Sequence, residues 1–145
     1  MTALEVGSPY NRAATAREAP DERLRGRTYA IPFEDVWQAA LRLAGRKRGW
    51  RVLGSDDLQG VIRAEARTVL GFTHDVVITV KLDENAQTRV DLVSASRVGK
   101  ADFGKNARRV GAFLRALDRE LERAARERRG SRSAAPASDP ARRRA

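Results

Sequence analysis

The stretch Ser94-Ala95-Ser96-Arg97-Val98-Gly99-Lys100-Ala101-Asp102-Phe103-Gly104-Lys105-Asn106-Ala107-Arg108-Arg109 separates two kinds of sequence periodicity. Before it, Val90 and Leu92 alternate with Arg89, Asp91 and Val93, the period of two that marks a strand with one buried face. After it, Phe103, Ala107, Val110, Leu114, Leu117 and Leu121 recur at a helical spacing. The junction therefore reads as the end of a strand over Arg89–Arg97 feeding a long helix from Asp102 to about Arg128. Asp102 is suited to cap that helix.

Working back from the junction, Val76, Ile78, Val80 and Leu82 share one face of a strand over His74–Leu82, with Asp83-Glu84-Asn85-Ala86-Gln87 as the hairpin loop. In Val61–Thr68, Ile62, Ala64, Ala66 and Thr68 alternate with Arg63, Glu65 and Arg67, so one face is small and apolar and the other charged. Leu70-Gly71-Phe72 interrupts the two runs. Trp50–Leu53 reads as a further strand, turned by Gly54-Ser55-Asp56-Asp57. Phe33, Val36, Trp37, Ala40, Leu41 and Ala44 form an apolar helical stripe opened by Pro32. Acidic residues lie in its first turn and Arg46, Lys47 and Arg48 at its end, as the helix dipole favours. Gly49 supplies a left-handed cap. Arg27–Ile31 is a short opening strand.

The predicted order is β-α-β-β-β-β-α. Four or five antiparallel strands need a cover on one face, and the two helices must supply it. The expected fold is a two-layer α+β domain over 26–129, similar to helix-grip and TBP-like architectures. Residues 1–25 lack periodicity and read as a flexible arm. Residues 130–145 are low-complexity and read as a disordered basic tail.

Composition narrows the function classes. The chain has 145 residues, a formal net charge of +10, no cysteine and one histidine. Disulfide, thiolate and Cys-ligated metal chemistry are excluded, and no metal or cofactor is expected. Counting leaves open a carboxylate-only magnesium site. No apolar run approaches the roughly 18–20 residues of a membrane helix, and the first residues lack the pattern of a secretory signal. The expectation is a soluble cytoplasmic protein. The charge excess suits polyanions, namely nucleic acid or an anionic membrane surface, met through the basic helix and tail. Candidate polyanion-binding residues are Arg46, Lys47, Arg48, Arg108 and Arg109. Aromatic content of 6% offers no stacking platform for bases.

The junction itself admits two readings. In the first, Ser94, Ser96, Arg97, Lys100, Asp102 and Asn106, with His74 beside them, surround a small anionic or amphipathic ligand. A helix start offers free N–H groups, and Arg suits bidentate capture of phosphate or carboxylate. In the second, Arg97 pairs with Asp91 or Asp75, Asp102 caps its own helix and the serines bond the backbone. Period two already divides the set, placing Ser94 and Ser96 inward and Arg97 outward. Asp102 also takes up donors that an anion would want. His74 and Asp75 face opposite sides of their strand. An acyl-transfer arrangement would therefore need His74 to reach Ser94, Ser96 or Asp102, and no nucleophile elbow is visible. The inward set Ala64, Ala66, Thr68, Ser94 and Ser96 either admits close helix packing or leaves a groove.

Three segments carry a resemblance: Thr68 through Ile78, Val90 through Gly99, and Asp102 through Arg109. They are similar to the bacterial and plastid family called domain of unknown function 1499. In that pattern a Phe precedes an acidic pair, and an Arg-Ser-x-Ser-Arg-x-Gly-x-x-Asp-x-Gly-x-Asn segment precedes a closing helix. Ser94, Ser96, Arg97, Gly99, Asp102, Gly104 and Asn106 match position by position. His74 stands where the first acidic residue is expected, and Val93 where the first Arg is. The resemblance covers about residues 30–121 and implies a fold and a shared surface, with no established activity. The resulting expectation is a non-enzymatic binding module for a small anionic or amphipathic ligand, with polyanion binding as the alternative and hydrolysis through His74 behind both.

Overall fold

The structure is a computed structural model that describes residues 11–98 and 104–134. In chain order these hold β1 (Arg12–Ala14), a single 3-10 turn (Glu22–Leu24), β2 (Arg27–Tyr29), α1 (Phe33–Arg46), β3 (Trp50–Asp56), β4 (Val61–Arg67), β5 (Thr73–Leu82), β6 (Thr88–Ser96) and α2 (Lys105–Ala134). The strands form one open antiparallel sheet in the order β1-β6-β5-β4-β3. β2 also pairs with β6, so β1 and β2 share one edge of β6, opposite Val93–Ala95 and Thr88–Val90 respectively. The architecture is α+β, as the periodicities predict.

The alternation in β4, β5 and β6 is what builds the core. Ile62, Ala64 and Ala66, then Val76, Ile78 and Val80, then Val90 and Leu92 are all buried on the face under the helices. Val36, Trp37 and Leu43 from α1, and Val110, Phe113, Leu114 and Leu117 from α2, close over them. The small side chains of β4 leave space for rings. Trp50 lies opposite Ala66 in the register and stacks on Phe113, with ring centroids 5.5 Å apart and planes at 10°. The Lys47 amine sits 5.5 Å over the Trp50 ring and closes the stack. Gly60 has φ +70°, and a Cβ there would collide with the Val80 carbonyl oxygen, so only glycine fits where β4 begins against β5.

Two terminal expectations change. The arm expected over 1–25 contributes β1, Ala13 joins the core, and the Thr15 N–H donates to the Leu92 carbonyl at 2.9 Å. A three-residue strand points only one side chain inward, so it has no period to detect. Its pairing comes from β6. At the other end, α2 continues to Ala134, through the start of the tail expected from Gly130. Extending a formed helix costs far less than nucleating one, so a polar segment can continue it. Residues 1–10 and 135–145 lie outside the described residues.

Side chains fasten the layers. Arg27 Nε and Tyr29 OH both donate to Asp118 on α2, at 3.0 and 2.6 Å. Burial and the Asp118 carboxylate push the Tyr29 phenol well above its ordinary pKa. Arg46 at the end of α1 pairs with Glu120, which is buried and also receives Arg123. Arg128 meets Asp35 at 3.0 Å, so the two helices run antiparallel.

Candidate functional site

The period of two in β6 directs Ser94 and Ser96 beneath α2 and leaves Arg97 outside. The register places His74 of β5 directly opposite Ser96. The first turn of α2 then lowers Asn106 onto these residues, where it is fully buried.

The Asn106 amide organises the inner side. Its Nδ2 donates to the Asn11 carbonyl at 2.7 Å and to Ser96 Oγ at 3.0 Å. Its Oδ1 accepts from Ser94 Oγ at 2.7 Å and from Arg109 Nη1 at 2.9 Å. An amide offers two donors and two acceptor lone pairs, and all four are used. The Asn11 carbonyl can only accept, which fixes which end of the amide faces it. Arg109 Nη1 also reaches Ser94 Oγ at 3.2 Å. Ser96 Oγ lies 2.9 Å from His74 Nδ1. Either the hydroxyl donates to an unprotonated Nδ1, or a protonated Nδ1 donates to the hydroxyl.

That His–Ser distance is within reach of proton transfer. Yet Ser96 is buried and its oxygen already accepts from Asn106, whereas an acyl-transfer nucleophile needs a lone pair facing an open cleft. The arrangement is suited to holding β1, β5, β6 and α2 together.

The outer side differs in kind. Arg97 Nε donates to both Asp75 oxygens at 3.1 Å, and Nη2 reaches Asp75 at 2.7 Å and Glu65 at 2.6 Å. Glu65 also accepts from Arg51 at 3.0 Å. The result is a charge ladder across the exposed ends of β3, β4, β5 and β6. The Asp75 and Glu65 hydrogen bonds raise the Arg97 pKa. The bond from Arg97, then that from Arg51, holds the Glu65 carboxyl below its ordinary range despite some burial. Asp91, the other expected partner, is taken by Arg89 at 3.0 Å and Thr15 Oγ1 at 2.7 Å.

The structure thus brings together Ser94, Ser96, Asn106 and His74, and sets Arg97 apart from them. Lys100 and Asp102 lie outside the described residues. The basic candidates also divide. Arg46 is held by Glu120, Lys47 is half-buried over Trp50, and Arg109 belongs to the inner network. Burial, then Arg119 and Arg109 nearby, lowers the Lys47 pKa. Arg48 and Arg108 remain exposed. The Asn11 carbonyl and the Glu65 carboxylate are partners that sequence spacing does not flag. The only sequence clue to Glu65 is its place among arginines on the charged face of β4.

The two ends of the sheet differ in their charged side chains. At one end, β4 stops at Arg67, β5 starts at Thr73, β6 stops at Ser96 and α2 begins. The Arg67 N–H donates to the Gly49 carbonyl at 2.8 Å, which brings Arg48 to the same end. Arg48, Arg67, Lys105 and Arg108 are exposed there, and none has a carboxylate partner among the described residues. At the far end lie the turns with Asp56 and Asp57 and with Asp83 and Glu84, the latter two paired with Arg17.

A model of the family described as "Protein of unknown function (DUF1499)" matches residues 5–117. The chain belongs to this family. The matched region spans β1 through the first half of α2 and so contains both sides of the junction. No curated protein matches the chain. Among the described residues no group of three or more His, Asp or Glu side chains is placed to hold a metal ion. No helix among them is long and apolar enough to cross a membrane.

Proposed function

We propose that this chain is a non-enzymatic binding module that engages polyanionic, phosphate-bearing surfaces through the cationic end of its sheet. One observation carries this reading: Arg48, Arg67, Lys105 and Arg108 stand exposed at that end without carboxylate partners among the described residues, while the nearby Glu65 and Asp75 are occupied by Arg97 and Arg51. Unpartnered cations gathered at one end steer that end toward an anionic surface. A small anionic ligand at the junction has less support. Ser94, Ser96 and Asn106 direct their polar atoms at one another and at His74 and Arg109, and Arg97 is held by two carboxylates.

The test is binding to heparin or single-stranded DNA over a salt series. Log affinity should fall with log salt, with a slope of about −0.7 per phosphate neutralised on single strands. Arg48→Glu with Arg108→Glu should weaken binding and flatten that slope. Unchanged binding by this variant, with loss on truncation after Ala134, would move the function to the tail and sink the proposal.

A further inference from the structure

The loop between β4 and β5 places apolar side chains in solvent at the cationic end. Val69 is fully exposed, Leu70 is 78% exposed and Phe72 half exposed. Val98, 72% exposed, joins them, because the Arg97 N–H donates to the Thr73 carbonyl at 3.2 Å and holds the end of β6 beside the loop. Isolated exposed apolar residues are ordinary, but four gathered at one end are a surface feature.

We propose that this apolar tip enters the interface of an anionic lipid bilayer, with Arg48, Arg67, Lys105 and Arg108 on the surrounding phosphates. The proposal rests on the polyanion reading above and names its partner. Three observations carry it. The tip is a short loop at the end of two paired strands with its apolar side chains in solvent, and so suits a deformable surface better than it suits a preformed pocket. Three of its amides are satisfied from within: Thr68 N–H donates to the Phe72 carbonyl at 2.9 Å, Gly71 N–H to the Thr68 carbonyl at 2.9 Å, and Phe72 N–H to Thr68 Oγ1 at 3.1 Å. A loop that closes some of its own amides carries fewer unpaired polar groups into an apolar phase. Finally, the charge left over around the tip is cationic, because the nearby carboxylates Glu65 and Asp75 are held by Arg51 and Arg97. Leu58 and Leu82 are exposed at the far end, but Leu58 follows Asp56 and Asp57, and Arg17 beside the other turn is held by Asp83 and Glu84. Apolar insertion combined with basic residues at the headgroups is the physical basis of peripheral attachment to anionic membranes. A nucleic-acid partner would use the cations but leaves the aliphatic tip without a role.

The experiment uses the full chain with vesicles of phosphatidylcholine alone and of phosphatidylcholine with phosphatidylglycerol at roughly 3:1. Co-sedimentation is expected with the anionic vesicles and not with the neutral ones. Val69→Ser with Leu70→Ser should lose on the order of tenfold in vesicle affinity, with heparin binding and thermal midpoint unchanged because both side chains are exposed. The absence of native cysteine permits one label: an environment-sensitive fluorophore on Leu70→Cys should shift to the blue on anionic vesicles. Vesicle binding by the double variant equal to that of the original chain, or a label that stays in water, overturns insertion and leaves the polyanion reading standing. Binding to heparin or DNA but not to vesicles has the same meaning. Binding to none of them removes both.

Discussion

Ser96 and Arg97 are neighbours in the sequence, yet the two sides of the junction obey different physics. On the inner side, Ser94, Ser96, His74, Asn106 and Arg109 form a polar network with its central amide fully buried and fully paired. On the outer side, Arg97 bridges Asp75 and Glu65 in the open. A buried polar group that loses its partners bears the whole cost of its lost hydration. An exposed ion pair that loses one regains water and gives up little. The inner network holds the fold together, whereas the outer ladder trims charge. The residue types are what one would choose for an anion site, but their partners assign most of them to structure.

The largest test of this contrast is Asn106→Ala. It removes four hydrogen bonds at once, those with Asn11, Ser94, Ser96 and Arg109, and should lower unfolding stability by about 3 kcal/mol, read as the urea midpoint. A midpoint within error of the original would show that the network contributes nothing. A smaller effect should separate two carboxylates along the acid limb. Arg46, with Arg123 behind it, depresses the folded pKa of Glu120 against its burial, and Arg97 depresses that of Glu65. A depressed carboxylate stabilises the fold above its unfolded value, and that contribution is lost as pH falls through the folded value. Glu120→Gln should therefore flatten the decline in stability below pH about 4.5 more than Glu65→Gln does, because Glu120 is buried and Glu65 lies in an exposed, screened ladder. Equal flattening by the two would erase the distinction. The smallest effect belongs to Arg97→Ala, which should fold normally and shift the midpoint least, with the shift vanishing at high salt. If that chain fails to fold, the outer ladder is as structural as the inner network.

What was legible in the sequence follows from the range over which each signal acts. Period two in β4 and β6 and the helical stripe of α1 gave the layers, because those signals lie within one element. The same rule turned Ser94 and Ser96 inward and Arg97 outward. The choice of Asp75 over Asp91 for Arg97 was not legible. It depends on register: Asp75 lies opposite Ala95, while Asp91 is claimed by Arg89 along its own strand. The partners of Asn106 were equally hidden, since Asn11 is 95 residues away. β1 escaped notice for the same reason. So did the role of Arg109, which reads as a surface cation until α2 is laid against β6.

The clasp between Asn11 and Asn106 also bears on how the chain is made. A ribosome adds roughly 5–20 residues each second, so β1 leaves it several seconds before β6 and the start of α2 exist. During that interval the first strand has nothing to pair with, and its edge must wait in solution. The segment synthesised early is therefore among the last to dock, and the finished molecule is sealed only when the final helix arrives with its asparagine.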